Sequence, residues 1–223
     1  MECLQFRQLA YCTLPHLADK ILLHPSEPIL AAWSNTRLSV LQVVPETTIA
    51  WELVLDTEAE SLAALSSCSI QDADWFGDNL VVAEFGSPIQ MLNKETGKLV
   101  RELGAAGLSA RSGYQAVLAD HLSHQLFASK GKPEITEVYG GPELELQGTY
   151  SGGTSNLQLH PGGDLVGQIL WNTLTPLVLS NRRPPFGVYT NAGVASPPTA
   201  CFAFLADGEH VAFVSESGLL QVV

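Results

Sequence analysis

The chain has 223 residues, of which 46% are hydrophobic and 15% are charged. This composition is typical of a folded globular protein and excludes a disordered chain. Its 23 acidic and 11 basic side chains give a formal net charge of −12, which repels phosphate groups. The sequence therefore predicts that the protein binds neither nucleic acid nor an anionic membrane.

The amino terminus and the cysteines predict a cytoplasmic protein. The first twelve residues carry Glu2 and Arg7 within an apolar stretch, so they do not form a signal peptide. No apolar run approaches the roughly 18 residues that a membrane-spanning helix needs. Four cysteines lie in apolar, strand-like contexts without a C-x-x-C pair, and we expect buried, reduced thiols at Cys3, Cys12, Cys68 and Cys201.

A short phrase occurs twice, as LHPSEPIL at 23–30 and as LHPGGDLV at 159–166. Each copy is typical of the end of one strand, a tight turn and the start of a second strand. Weaker copies lie between and beyond these two. The first apolar residues after the five turns are spaced by 39 to 51 residues and are Ile29, Leu80, Leu126, Leu165 and Val211.

Each of the first four units contains four short strand-like runs, and turn residues separate the runs. The first unit has KILL, PILAAWS, RLSVLQVV and TIAWELVL, and the second has SIQDADWF, NLVVAEFG, PIQMLNK and KLVREL. The third has YQAVLA, HQLFASK, EITEVY and ELELQGTY, and the fourth has SNLQLH, DLVGQIL, TPLVLS and FGVYT. The fifth has only TACFAFLA, HVAFVSE and GLLQVV. Helical periodicity is predicted only at 56–67.

The missing strand of the fifth unit has a candidate at the other end of the chain. Residues 2–12 are strand-like, precede the first complete unit and belong to no other unit. A period of about 45 residues with four strands per unit is that of a propeller blade. We therefore predict an all-β fold, a five-bladed β-propeller of four-stranded antiparallel blades in which the N-terminal strand closes the last blade. The predicted single domain spans 1–223, with blades at 15–56, 60–104, 110–150, 151–192 and 196–223 plus 2–12.

The stretches at 22–55 and 75–103 resemble blades of the WD-repeat propeller family, and Lys94 to Lys98 match its usual turn between third and fourth strands. No Trp-Asp pair ends a third strand and no Gly-His pair precedes a blade, so the chain resembles a degenerate member. The structural His/Asp network of that family is therefore not carried over. Five blades are also fewer than the seven usual there. The alternative is that the chain is one subunit or fragment of a larger propeller assembly.

Histidines occur at two sets of turn positions. His24 and His160 are equivalent residues of the repeated phrase and could form a metal pair or a dyad, but equivalent residues of different blades lie apart on a ring. We interpret them as turn residues. His121 and His124, beside Asp120, could bind a metal on a helical face, whereas a solvated loop between two strands is the simpler interpretation.

Carboxylates give two further candidate sites. Asp72, Asp74 and Asp78 alternate as in a calcium loop, but the remaining ligands of such a loop are missing. Paired carboxylates in a propeller funnel could process glycosides, and the acids to inspect would be Asp72, Asp74, Asp120 and Glu137. No nucleophile elbow or phosphate-binding loop is present. We predict no catalytic residue, no cofactor and no metal.

The segment 180–200 is rich in proline and holds Arg182, Arg183, Phe186 and Tyr189. Arginine and tyrosine are favoured in binding hot spots, so these four residues are candidate binding residues. The alternative is a lead-in to the fourth strand followed by a long, exposed inter-blade loop. The predicted function is a non-catalytic protein–protein interaction scaffold that binds its partners through face loops or blade edges. The predicted partner is another protein or a multi-subunit complex. A glycan-binding or glycoside-processing propeller is the alternative.

Overall fold

The computed structural model describes nineteen strands and the turns between many of them. The described residues are 13–14, 16–43, 48–54, 69–104, 113–131, 133–151, 157–161, 165–170, 173–178, 189–190, 199–208, 210–215 and 220–222. Predicted features at 2–12 and at 56–67, the closing strand and the helical turn, lie outside these residues. Within the described part of the chain, no helix is long and apolar enough to cross a membrane.

The strands form five antiparallel sheets, each made of strands that follow one another along the chain. The first sheet contains β1 (Lys20–Leu23), β2 (Ile29–Trp33), β3 (Arg37–Gln42) and β4 (Thr48–Val54). The second contains β5 (Ile70–Phe76), β6 (Asn79–Glu84), β7 (Ile89–Asn93) and β8 (Leu99–Leu103). The third contains β9 (Tyr114–Asp120), β10 (Gln125–Gly131), β11 (Glu134–Gly140) and β12 (Glu145–Ser151). The fourth contains β13 (Leu157–Leu159), β14 (Leu165–Leu170), β15 (Thr173–Val178) and β16 (Tyr189–Thr190). The fifth contains β17 (Thr199–Phe204), β18 (Val211–Ser215) and β19 (Leu220–Val222). The strands predicted within the described residues are thus confirmed.

The sheets are stacked face to face, which explains why their strands are apolar on both sides. Successive side chains of a strand point to opposite faces, and each inner sheet has a neighbour on both. One core lies between the first two sheets and includes Val40 and Trp75. A second core lies between the second and third sheets and includes Met91 and Tyr139. A third core joins Phe127 of the third sheet to Leu157 of the fourth.

The first strand of each sheet lies beside the first strand of the next. β5 contacts β9, β9 contacts β13, and β13 contacts β17. Lys20 in β1 donates to the Gln71 carbonyl oxygen in β5 at 2.9 Å. The sheets therefore fan outward from a centre lined by β1, β5, β9, β13 and β17.

The pairing register corrects three of the five predicted repeat positions. Ile29 pairs with His24, and the residues paired in the same way are Asn79 in the second sheet, Gln125 in the third and His210 in the fifth. The predicted equivalents, Leu80, Leu126 and Val211, are therefore one residue late. Because the side-chain period of a strand is two, this shift places a side chain on the opposite face of its sheet.

The sheets are not closed into a ring in the described part of the chain. Side chains on the outer faces of the two end sheets remain exposed, among them Ile21 and Leu23 of the first and Leu220 and Val222 of the fifth. The predicted closed ring is therefore not formed by these sheets.

Candidate functional site

A groove opens between the second and third sheets, at the end where the first and second strands of each sheet are joined. Its volume is about 760 Å³. The floor is apolar and the rim is polar. The floor residues are Phe76, Met91, Val100 and Leu144, and the rim residues include Asp78, Arg101, His121, Ser123 and His124.

A smaller cavity of about 340 Å³ continues the groove toward the first sheet. It shares Gly77, Asp78 and His121 with the larger one and is bounded on its far side by His24 and Glu27. We call the two cavities together the turn-face groove. Sequence analysis did not find this site, because its floor residues come from separate strands and turns and form no local motif.

Lys94 fixes the wall of the groove between the first two sheets. Its ammonium group lies 2.6 Å from the Asp78 carboxylate and also binds Glu27 of the first sheet. The hydrogen bond from Lys94 holds the pKa of Asp78 below its ordinary value, and the bonds to Asp78 and Glu27 raise the pKa of Lys94. Trp51 donates from Nε1 to the Lys94 carbonyl oxygen at 2.8 Å. The turn carrying Lys94 is therefore held from both sheets.

Arg101 makes from the second sheet to the third the contact that Trp51 makes from the first sheet to the second. Its guanidinium group donates to the carbonyl oxygen of Glu143 and to the Glu143 carboxylate, the latter at 2.7 Å. Arg101 and Trp51 occupy the same place in their sheets, since each pairs with the corresponding residue of the third strand, Met91 or Val40. Arg101 thus ties the second sheet to the β11–β12 turn on the rim of the groove.

His24 and His160 are confirmed as turn residues and have a further role. Nδ1 of His24 accepts hydrogen bonds from the backbone N–H groups of its own turn, including that of Glu27 at 3.1 Å. Nε2 lies 3.4 Å from the carbonyl oxygen of Gly77 in the next sheet. His160 makes the same inter-sheet contact to Gly208, at 2.9 Å. The two histidines lie in separate sheets, and each fixes the turn of its neighbour.

Asp72 and Asp74 join the second and third sheets near the centre. Asp72 accepts from the N–H group of Val117 at 3.2 Å, and Asp74 accepts from that of Ala119 at 2.8 Å. Burial raises the pKa of Asp74 to about 6, although these backbone hydrogen bonds oppose the shift. Burial also raises the pKa of Asp72, against the charge of Lys20.

Asp120 and Glu137 lie in two other environments. Asp120 accepts from the backbone N–H of Leu122 at 2.9 Å and so caps its own turn. Glu137 is buried in the third sheet, where it accepts hydrogen bonds of 2.5 Å from Lys130, Tyr114 and Tyr139. Burial alone would raise the pKa of Glu137. The hydrogen bonds from these three donors have the larger effect, so the pKa lies below its ordinary value.

The candidate funnel acids therefore do not form one catalytic group. Asp72 and Asp74 bind backbone, Asp120 caps a turn, and Glu137 is sealed inside a sheet. Among the described residues, no group of three or more His, Cys, Asp or Glu side chains could hold a metal ion.

Three of the four predicted binding residues in the segment 180–200 lie outside the part of the chain that the structure describes. Arg182, Arg183 and Phe186 lie outside the described residues. Tyr189 begins β16, and its backbone pairs with Leu174 of β15. A binding role for these four residues remains a prediction.

Comparison with known proteins identifies the fold. No protein-family model matches the sequence, and no curated protein matches it. Among solved structures, the chain is similar to the β-propeller domain of Cps50 (Swd1) from Myceliophteria thermophila, with a TM-score of 0.70 and 9% sequence identity. The alignment covers 95% of this chain and 72% of that one. The class of fold is therefore a β-propeller, and at this identity the likeness concerns the fold alone.

Proposed function

We propose that the protein is a non-catalytic interaction scaffold of the β-propeller type, and that a segment of another protein docks in the turn-face groove. The observation that carries the proposal is apolar surface left open on the floor of the groove, where Val100 is 57% exposed. Leu122, in the adjoining β9–β10 turn and outside the groove lining, is 85% exposed. Exposed apolar side chains in a concave, polar-rimmed site are typical of binding surfaces.

The groove suits protein binding because its walls are already fixed. Lys94 and Arg101 tie the turns on its rim to neighbouring sheets, so a partner need not order them on binding. His24, Glu27 and Asp78, which line the groove, make structural contacts, and this favours a scaffold over the glycoside-processing alternative. Five blades, a cytoplasmic location and a place in a multi-subunit complex remain parts of the proposal.

Selection from a phage-displayed library of random peptides tests the groove. We expect enriched peptides to bind the immobilised wild-type chain and to bind Val100→Asp about tenfold or more weakly, because a charge is placed on the apolar floor. Leu146→Asp is the matched control, since Leu146 is equally exposed on β12 and does not line the groove. Peptides that bind both variants equally would refute the groove as the docking site.

A further inference from the structure

We propose that the segment docking in the turn-face groove is basic, with a lysine or arginine side chain beside the apolar residue that reaches the groove floor. The inference rests on the proposed docking in this groove and names the chemistry of the partner. It follows from the charged side chains that the groove exposes, from their balance on each wall and from the net charge of the chain.

On the wall toward the first sheet, carboxylates are exposed and an ammonium group is covered. The side chain of Lys94 is only 11% exposed, whereas its two partners are 80% exposed at Asp78 and 40% exposed at Glu27. Asp78 lines both cavities of the groove, and Glu27 lines the smaller one. A ligand that approaches this wall therefore meets carboxylate oxygens before it meets the ammonium group.

This wall also keeps an excess of negative charge. The single ammonium group of Lys94 is shared between the carboxylates of Asp78 and Glu27, so one of the two negative charges has no counter-charge in this cluster. Lys94 contacts Oδ1 of Asp78. A carboxylate accepts several hydrogen bonds, so the exposed side chain of Asp78 can take a second donor from a ligand. We call Glu27 and Asp78 the acidic wall.

Arg101, on the side toward the third sheet, does not reverse this charge. Its guanidinium group donates to the carbonyl oxygen and to the carboxylate of Glu143. The pair carries no net charge, and its acidic member is the more exposed, at 69% against 39% for Arg101. An acidic segment would therefore meet carboxylates on both sides of the groove, whereas a basic segment would meet complementary charge.

The acidic wall adjoins the apolar floor. Asp78 lies two residues after Phe76 in the chain, and both line the same cavity as Met91 and Val100. A segment that places an apolar side chain on this floor brings an adjoining residue to the wall. Lysine and arginine suit that place, because their methylene stems cover apolar surface while their charged ends reach a polar edge.

Backbone strain marks the same groove. Among the described residues, His124 and Leu144 are the two residues other than glycine with positive φ, at 53° and 45°, and both line the groove. This conformation is unfavourable for a bulky side chain and persists where the surrounding structure enforces it, which is common at ligand-binding sites. Leu144 is held by packing in the core between the second and third sheets. The floor is thus fixed before a ligand arrives.

The charge of the whole chain acts in the same direction as the acidic wall. A formal net charge of −12 attracts a cationic segment and raises its association rate. Because salt screens both effects, we expect binding to weaken as the ionic strength rises. Docking through apolar contacts alone would not weaken in this way.

Peptides from the random phage-displayed library serve as the probes. We expect the enriched peptides whose binding depends on Val100 to contain more lysine and arginine than the unselected library. Synthetic copies in which these basic residues are replaced by glutamine should bind the wild-type chain about threefold to tenfold more weakly in fluorescence anisotropy. This comparison uses the unaltered protein, so it holds whether or not a groove variant folds.

A variant of the acidic wall locates the charge that the peptides recognise. Glu27→Gln/Asp78→Asn should weaken binding of the basic peptides by a similar factor and leave their glutamine copies nearly unaffected. Glu102→Gln/Glu134→Gln is the matched control, because it removes the same charge from exposed residues that line neither cavity. That control should bind the basic peptides within about twofold of the wild type. Circular dichroism verifies that both variants are folded.

The other outcomes overturn the inference. Val100-dependent peptides without an excess of basic residues, or glutamine copies that bind as tightly as the originals, would show docking without recognition of a basic side chain and would leave the proposed function standing. Equal weakening in the wall variant and its control would assign the attraction to the net charge of the chain instead of the acidic wall. A selection that yields no Val100-dependent peptide would refute the docking proposal itself.

Discussion

Nε2 of His160 donates a hydrogen bond of 2.9 Å to the carbonyl oxygen of Gly208, which lies in the neighbouring sheet. Gly208 adopts a φ of 70° within its turn, a conformation that suits glycine. The histidine of the repeated Leu-His-Pro phrase makes the same contact in both copies. His24 contacts the carbonyl oxygen of Gly77 as His160 contacts that of Gly208. In both places a buried ring holds the turn of the next sheet.

Replacing His160 by alanine should lower the free energy of unfolding by about 1–3 kcal/mol, because the buried Gly208 carbonyl loses its donor and the ring leaves a void. Urea denaturation measures the change. His210→Ala is the control, since His210 is exposed and its ring pairs with Asp207 of its own turn. That variant should change stability by less than about 1 kcal/mol. Equal losses in the two variants would contradict the structural role of His160.

Replacing Glu137 by glutamine should cost about 3–5 kcal/mol, because it leaves the Lys130 ammonium group buried without a counter-charge. The two side chains are only 10% and 6% exposed. The double variant Lys130→Met/Glu137→Gln should be more stable than Glu137→Gln alone, since no buried charge remains. Thermal unfolding of the two single variants and the double variant gives the coupling directly. Additive losses would show that the pair is not coupled.

Asp74 predicts a pH dependence of stability. Its pKa is about 6 in the folded chain against an ordinary value of 3.8, so between these values the folded state holds a proton that the unfolded state has lost. The free energy of unfolding should therefore fall as the pH rises from about 4 to about 6, by about 1–3 kcal/mol for this group. Chemical denaturation across this range should show a smaller fall in Asp74→Asn.

Asp78→Asn provides a control of opposite sign. The pKa of Asp78 is lowered by Lys94, so its contribution is present above its ordinary pKa and is lost as the pH falls through the folded value. The destabilisation caused by Asp78→Asn should therefore be seen near neutral pH and disappear in acid. A wild-type stability that rises between pH 4 and 6 to the same extent as that of Asp74→Asn would contradict the shift assigned to Asp74.

Replacing Gly97 by alanine should destabilise the chain more than replacing Gly77 by alanine. Both glycines have positive φ, 65° and 58°, so both substitutions carry a similar backbone cost of about 1 kcal/mol. A Cβ atom at Gly97 would also lie 2.7 Å from the Trp51 ring, whereas one at Gly77 would meet no atom within 4 Å. Differential scanning calorimetry compares the two. A greater loss from Gly77→Ala would show that the Trp51 contact is not tight.

The strands could be predicted from sequence because each depends on local apolar runs and turn residues. The register could not be predicted in full. Leu80 and Leu126 are the first apolar residues after their turns, but the strands begin one residue earlier, at the polar Asn79 and Gln125. Whether a polar residue opens a strand depends on its cross-strand partner, which a single sequence does not reveal.

The roles of individual polar residues were harder to predict, because most of their partners belong to another sheet. The sequence made Asp72 and Asp74 candidates for a cation site or a catalytic site. In the structure they accept hydrogen bonds from backbone N–H groups of β9, about 45 residues away. Their spacing of two residues carries the signal, since it puts both carboxylates on one face of a strand. That signal becomes specific only once the neighbouring strand is known.

The carboxylates of Asp72 and Asp74 take the place of a neighbouring strand at the inner edge of the third sheet. Val117 and Ala119 lie in β9, the end strand of that sheet, and donate their N–H groups to these carboxylates. The donors of an edge strand need acceptors from outside their own sheet. Here side chains of the preceding sheet supply them, so two separate ladders are joined without a shared strand.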